Sequence, residues 1–212
     1  MVFLFRLLGR LPLRLLHHLG ALAGWATYLF SPTYRRHLRE NVRQAGLDDD
    51  VRRAAVGEAG KQILELARIL SKTQAEASAL VAEVNGWEHV EAAQQAGKGI
   101  VFLTPHLGCF EITAQYYSGF GDITVLYRAP RQAAIQQMIL DGRQRANLHL
   151  APADVSGVRA LIKALKKGQA VGMLPDQAPK VGEGVWLKFF GRWAYTMTLA
   201  GRLTETGATT LM

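Results

Sequence analysis

Between residue 98 and the C-terminus, short apolar runs alternate with helix-like segments, and no other feature of the chain restricts its fold as much. Ile100-Val101-Phe102-Leu103-Thr104 follows the turn signal Gly97-Lys98-Gly99 and is apolar enough to be a strand covered on both faces. Similar runs recur at Ile123 to Tyr127, Leu148 to Ala151 and Val171 to Leu174, with helical segments at Gln132 to Arg145 and Gly157 to Lys167 between them. A helix over Glu88 to Ala96 precedes the first strand, and another begins near Gly108. Strand and helix alternating at this pitch predict an α/β fold, a central mixed sheet flanked by helices. From Leu199 the chain starts a helix, and Gly207-Ala208-Thr209-Thr210-Leu211-Met212 reads as the opening of a further strand with no polar tail. We therefore expect a truncated C-terminus that leaves a bare sheet edge.

The first part of the sequence is of another kind. Arg6, Arg10, Arg14, Arg35, Arg36, Arg39 and Arg43 stand against a single acid, Glu40, in the first 43 residues. Arg6, Arg10 and Arg14 recur every four residues among leucines, which on a helix sets a basic stripe beside an apolar one. Leu19 to Phe30 carries no charge and holds Trp25, Tyr28 and Phe30, rings suited to the headgroup level of a bilayer. Arg14, His17 and His18 interrupt the run, and a crossing needs ~20 mainly apolar residues, so a helix lying in the interface and one spanning it both fit. A core helical hairpin and a secretory signal cleaved at Ala21-Leu22-Ala23 are the other readings of this stretch. Pro32 to Leu47 reads as a basic helix closed by Gly46, and Val51 to Ser71 as a helix opened by Asp48-Asp49-Asp50. The expected division is residues 1–31 as a membrane-associating helix, 32–97 as a helical segment and 98–212 as the α/β core.

Hydrophobic residues at 49% and charged residues at 20% exclude a disordered or collagen-like chain. The net charge of +8 favours anionic partners. Because the positive charge is interleaved with leucines rather than with aromatic residues on a sheet, membrane lipid is a better partner than nucleic acid. One cysteine, Cys109, rules out an internal disulfide and a cysteine zinc cage.

Thr104-Pro105-His106-Leu107-Gly108-Cys109-Phe110-Glu111 is the sharpest candidate for chemistry. His106 falls just past the first strand, and open α/β sheets gather reacting groups at the carboxyl ends of their strands. Glu111 follows in the first turns of the expected helix, where its carboxylate can turn back on the imidazole, fix the tautomer and stabilise the imidazolium. Such a pair is a general base. No Ser sits in a Gly-x-Ser-x-Gly elbow, and Cys109 reads as a small packing residue, so direct attack by a substrate hydroxyl is the natural chemistry. His17, His18, His37, His89 and His149 show no metal-ligand spacing, and no metal is expected. Arg128 follows a strand, as do Asp176 and Gln177. Arg159, Lys163, Lys166 and Lys167 share one helix face, either solvated or open to an acidic carrier protein or headgroup phosphates.

In order along the chain, these residues resemble the blocks of the lysophospholipid-type acyltransferases, most closely their lipid A biosynthesis (lauroyl/myristoyl) branch. The likeness rests on His106 and Glu111 at His-x-x-x-x-Glu spacing, Tyr127-Arg128, Arg159 with Leu161 to Gly168, Leu174-Pro175-Asp176-Gln177, and Phe189-Phe190-Gly191. It covers nearly the whole chain, with Cys109-Phe110 where related sequences often carry Asn-Trp. The resemblance implies an acyltransferase at the cytoplasmic face of a bacterial inner membrane. It would move a fatty acyl chain from an acyl carrier protein or coenzyme A thioester to a hydroxyl of an anionic glycolipid, a lipid A precursor, with no other cofactor. His106 and Glu111 would be catalytic, and Arg128, Arg159, Asp176 and Gln177 would bind substrate. The helix start near Gly108 would offer N–H groups to the oxyanion. Another glycolipid, an aminolipid or a lysophospholipid is the alternative acceptor, and an inactive membrane-bound scaffold is the alternative to an enzyme.

Overall fold

The computed structural model describes residues 2–130, 132–144 and 146–212. The chain forms two compact units, residues 1–71 with 187–194, and residues 72–186 with 195–212.

The first unit is built on α1 (Val2–Arg10), α2 (Leu13–Phe30), α3 (Pro32–Gln44) and α4 (Asp49–Leu70). Pro12, which lacks an N–H and cannot continue a helix, separates α1 from α2. Arg68 of α4 donates to the Leu11 carbonyl at this break, at 2.6 Å. The Ser31 hydroxyl accepts the Tyr34 N–H to start α3, with Pro32 at its first position. Asp48 starts α4 by accepting the N–H groups of Asp50 and Val51, both at 3.1 Å. α2 buries Leu16, Gly20, Gly24 and Tyr28, one residue per turn. A Cβ on Gly60 of α4 would fall on the Gly20 carbonyl oxygen and 2.7 Å from the Gly24 nitrogen, so the two backbones touch there. Gly60→Ala must push α2 and α4 apart, and we expect it to cost about 1–3 kcal/mol. Urea unfolding checks this, and an unchanged midpoint would contradict the close helix contact.

The other face of α2 leaves Leu15, Leu19, Leu22, Trp25 and Leu29 open to solvent, with Phe30 86% exposed at its end. No helix among the described residues is long and apolar enough to cross a membrane. The spanning form of the expected N-terminal helix is therefore not found. Pro12 divides the apolar run, and α2 carries Arg14, His17 and His18 within its 18 residues.

The second unit begins with α5 (Gln74–Ser78), α6 (Trp87–Ala96), β1 (Ile100–Leu103), α7 (Glu111–Tyr117), β2 (Ile123–Tyr127) and α8 (Ala133–Arg143). β3 (Leu148–Pro152), α9 (Val155–Lys166) and β4 (Ala170–Met173) follow. The chain then forms β5 (Gly184–Phe189) and β6 (Arg192–Met197), and closes with α10 (Leu199–Thr204) and β7 (Thr209–Leu211). The main sheet has the order β3-β2-β4-β1-β7, and every pairing in it is parallel. It is thus a parallel sheet, where the sequence led us to expect a mixed one. Each connection between its strands includes a helix that returns the chain to the same end of the sheet. The pair β5–β6 is a separate two-stranded sheet that the sequence reading did not foresee.

β4 is buried along its whole length, as a central strand covered on both faces should be. On one face Val101, Val171 and Met173 pack with Leu161 and Leu165 of α9 and Leu203 of α10. On the other Ile100, Ile123 and Ala170 pack with Val90 of α6 and Tyr117 of α7. α7 starts at Glu111, later than the expected start near Gly108, and Arg145, the expected end of the preceding β3 helix, lies outside the described residues.

Candidate active site

β1 and β4 are neighbours in register, with Leu103 opposite Met173, and they leave the sheet in parallel. Leu103-Thr104-Pro105-His106 and Met173-Leu174-Pro175-Asp176 are matching tails, and the Thr104 N–H donates to the Met173 carbonyl at 2.9 Å, carrying the pairing one step past the strands. The last residue of each tail meets that of the other. Asp176 Oδ1 lies 2.8 Å from His106 Nδ1, and Asp176 Oδ2 accepts the His106 backbone N–H at 2.7 Å. One carboxylate thus fixes both the ring and its main chain. With Nδ1–H donated to Asp176, the Nε2 lone pair faces the Gln177 side-chain amide nitrogen at 3.1 Å. The Phe110 ring stands edge-on to the imidazole, centroids 4.8 Å apart.

Burial pushes the Asp176 carboxyl up, but hydrogen bonds from the ring and the amide of His106 and from its own amide outweigh this and hold it below the ordinary aspartate value. Asp176 is therefore a carboxylate at neutral pH, suited to stabilise an imidazolium. The side chains of His106 and Asp176 are 33% and 38% exposed, so the pair is reachable from outside.

The carboxylate expected to orient His106 was Glu111, and here the structure corrects the sequence. Glu111 is itself the first residue of α7 and is buried, 7% exposed, and both its oxygens are taken by Arg143, the last residue of α8. Arg143 Nε donates to Oε1 at 2.7 Å and Nη2 to Oε2 at 2.6 Å, a two-pronged match of guanidinium to carboxylate. The guanidinium also lies over the Tyr127 ring, 5.6 Å from its centroid. Burial lowers the Arg143 pKa, and the hydrogen bonds and charge of Glu111, with Tyr127, more than reverse that and raise it. Glu111 and Arg143 form the charged wall of a cavity of about 50 Å³ whose other walls include Phe102, Phe110, Ala114, Val125 and Met173. The Tyr127 hydroxyl is buried with no hydrogen-bond partner among the described residues.

The expected residues therefore separate. His106, Asp176 and Gln177 converge, and Glu111 stands in the cavity wall with Arg143. Arg128 is exposed just past β2. Arg159 is exposed on α9, whose buried side is Gly157, Leu161, Ala164 and Leu165, so its basic face points away from the core. The helix expected to start near Gly108 starts at Glu111, and Gly108 lies in the loop before it. Arg143 was not singled out from the sequence, because a lone arginine ending a helix carries no local sign of a carboxylate 32 residues away. Among the described residues no group of three or more His, Cys, Asp or Glu could hold a metal ion.

A carboxylate-held imidazole at adjoining strand ends of a parallel α/β sheet is the class of site whose chemistry is suited to accepting a proton. Within that class the chain belongs to the bacterial lipid A biosynthesis acyltransferase family, whose description matches residues 1–211. It is similar to a lipid A biosynthesis acyltransferase of Haemophilus influenzae, 28% identical over 122 residues. That match takes in 56% of this chain and 37% of the other protein, so the chain spans little more than a third of that relative's length in the alignment.

Proposed function

We propose that the chain transfers a fatty acyl group from a thioester of acyl carrier protein or coenzyme A to a hydroxyl of a lipid A precursor, at the cytoplasmic face of the inner membrane. The observation that carries this reading is the His106–Asp176 contact beside an apolar cavity, in a chain of this family. The acceptor hydroxyl displaces the Gln177 amide from Nε2 and gives its proton to that nitrogen as its oxygen attacks the thioester carbonyl. Asp176 stabilises the imidazolium so formed. The new C–O bond replaces the C–S bond, and the imidazolium returns the proton to the departing thiolate. His106 is the catalytic base and Asp176 its positioning residue. Glu111 and Arg143 shape the wall against which the acyl chain lies, and Arg128, exposed past β2, is suited to a phosphate of either substrate.

The exposed Leu22, Trp25, Leu29 and Phe30 support a helical unit that lies in the membrane interface, where its arginines meet anionic headgroups. The test is to incubate the chain with acyl-acyl carrier protein or acyl-coenzyme A and a lipid A precursor, and to follow the acceptor by mass spectrometry. A mass gain of one acyl chain is expected. Acylation of a glycerolipid or aminolipid in its place would correct the acceptor, and no acyl product from any of these would refute the reading for this chain.

A further inference from the structure

The helical unit holds a second polar cavity that the acyl-transfer chemistry does not use. It measures about 350 Å³ and is lined by Arg39, Val42, Arg43, Leu47, Asp48, Asp49 and Arg52. Its two carboxylates are already engaged. Asp48 accepts two N–H groups at the start of α4, and Asp49 binds Arg52 with both oxygens, each at 2.7 Å. Arg52 is thus matched by Asp49, whereas Arg39 and Arg43 have no carboxylate partner among the described residues. Arg39 donates from Nε to the hydroxyl of Tyr28 at 2.9 Å, and Arg52 donates to that same oxygen at 2.6 Å, so two guanidiniums share one neutral acceptor. Both also lie over the Tyr28 ring, 5.9 and 5.1 Å from its centroid. The Arg43 side chain makes no hydrogen bond or ion pair among the described residues. Since Asp48 fills the amides that open α4, any anion here would be held by the guanidiniums and not by the helix end.

Guanidiniums converging on a cavity with spare donors are the usual means of gripping a phosphate. The cavity's apolar border points to where that phosphate comes from. Leu47 is 51% exposed, and Gln44, one residue on from Arg43, holds the Phe189 carbonyl at 3.2 Å and so keeps the exposed Phe189 and Phe190 at this end of α3. We infer that Arg39, Arg43 and Arg52 form a binding site for the phosphate of a lipid headgroup, with the lipid's apolar part against Leu47, Phe189 and Phe190. The site does not depend on His106.

Flotation with phosphatidylcholine vesicles, with and without phosphatidic acid, tests this on the 212-residue chain. Phosphatidic acid should raise binding, and Arg39→Gln with Arg43→Gln should weaken binding to those vesicles about tenfold. Lys163→Gln with Lys166→Gln, the same loss of charge on α9, should weaken it by less. Arg43→Gln alone breaks no hydrogen bond of the fold and should still weaken binding by about threefold. His106→Ala should leave it unchanged. Equal binding by the Arg39/Arg43 variant and the native chain, or equal losses in the two double variants, would overturn the site. Calorimetric titration with inorganic phosphate separates the sources. Weak competition with the vesicles is expected, whereas tight phosphate binding without vesicle binding would overturn the lipid assignment.

Discussion

His106→Ala is expected to lose acyl transfer by roughly 10²–10⁴-fold with the fold intact, because it removes the carboxylate-aligned ring nitrogen that stands at the adjoining ends of β1 and β4. His106 is only partly buried and contributes little to either core, so thermal unfolding should change little. Asp176→Asn should cause a loss of the same order through a different route. The amide can keep a hydrogen bond to the ring but supplies no charge to the imidazolium, and it can favour the wrong tautomer. The two variants combined should lose no more than His106→Ala alone, as expected of groups that act as one. Additive losses would place Asp176 elsewhere in the mechanism.

Acid unfolding gives an independent check on that pair. The Asp176 carboxyl is held below its unfolded value, so its contribution to stability is complete above the ordinary aspartate range and disappears as pH falls through the folded value. The stability difference between the native chain and Asp176→Asn should therefore narrow as pH falls below that range. A gap that widened in acid would contradict the hydrogen bonds drawn here.

The second large effect is on stability. Arg143→Met leaves the buried Glu111 carboxylate without its guanidinium, and breaking such a pair typically costs about 3–5 kcal/mol. For a chain of this size that corresponds to a fall of roughly 10 °C in Tm. Glu111→Leu combined with Arg143→Met should recover most of the stability, since an apolar pair of similar volume needs no charge compensation. If that double variant also recovered transfer, the charged wall would have no part in the reaction. Differential scanning calorimetry and the mass-spectrometric assay together decide between these outcomes.

The sheet was legible in the sequence because strands covered on both faces write themselves as unbroken apolar runs. β2 spans the expected residues, and β1, β3 and β4 begin and end within a residue of them. Parallel pairing was not legible, since it depends on how the connections return and not on any single strand. β5–β6 escaped notice because Val185, Trp186, Leu187 and Phe189 are apolar on both sides of the strand and exposed, so no alternation marks it. At the site, His106 announced itself by its place after a strand. Its partner did not, because a carboxylate nearby in sequence, Glu111, competes on paper with one that only the β1–β4 pairing brings close. Asp176 and Gln177 were singled out for their position after β4, but their contact with the imidazole is a tertiary fact.

The matching tails of β1 and β4 make the proton-accepting couple a property of the scaffold. Its spacing descends from the roughly 4.8 Å pitch of adjoining strands, so it should outlast rearrangement of the surrounding loops and vanish only when those two strands come apart. A designer who transplanted both four-residue endings onto another pair of parallel neighbours would carry the couple along with them.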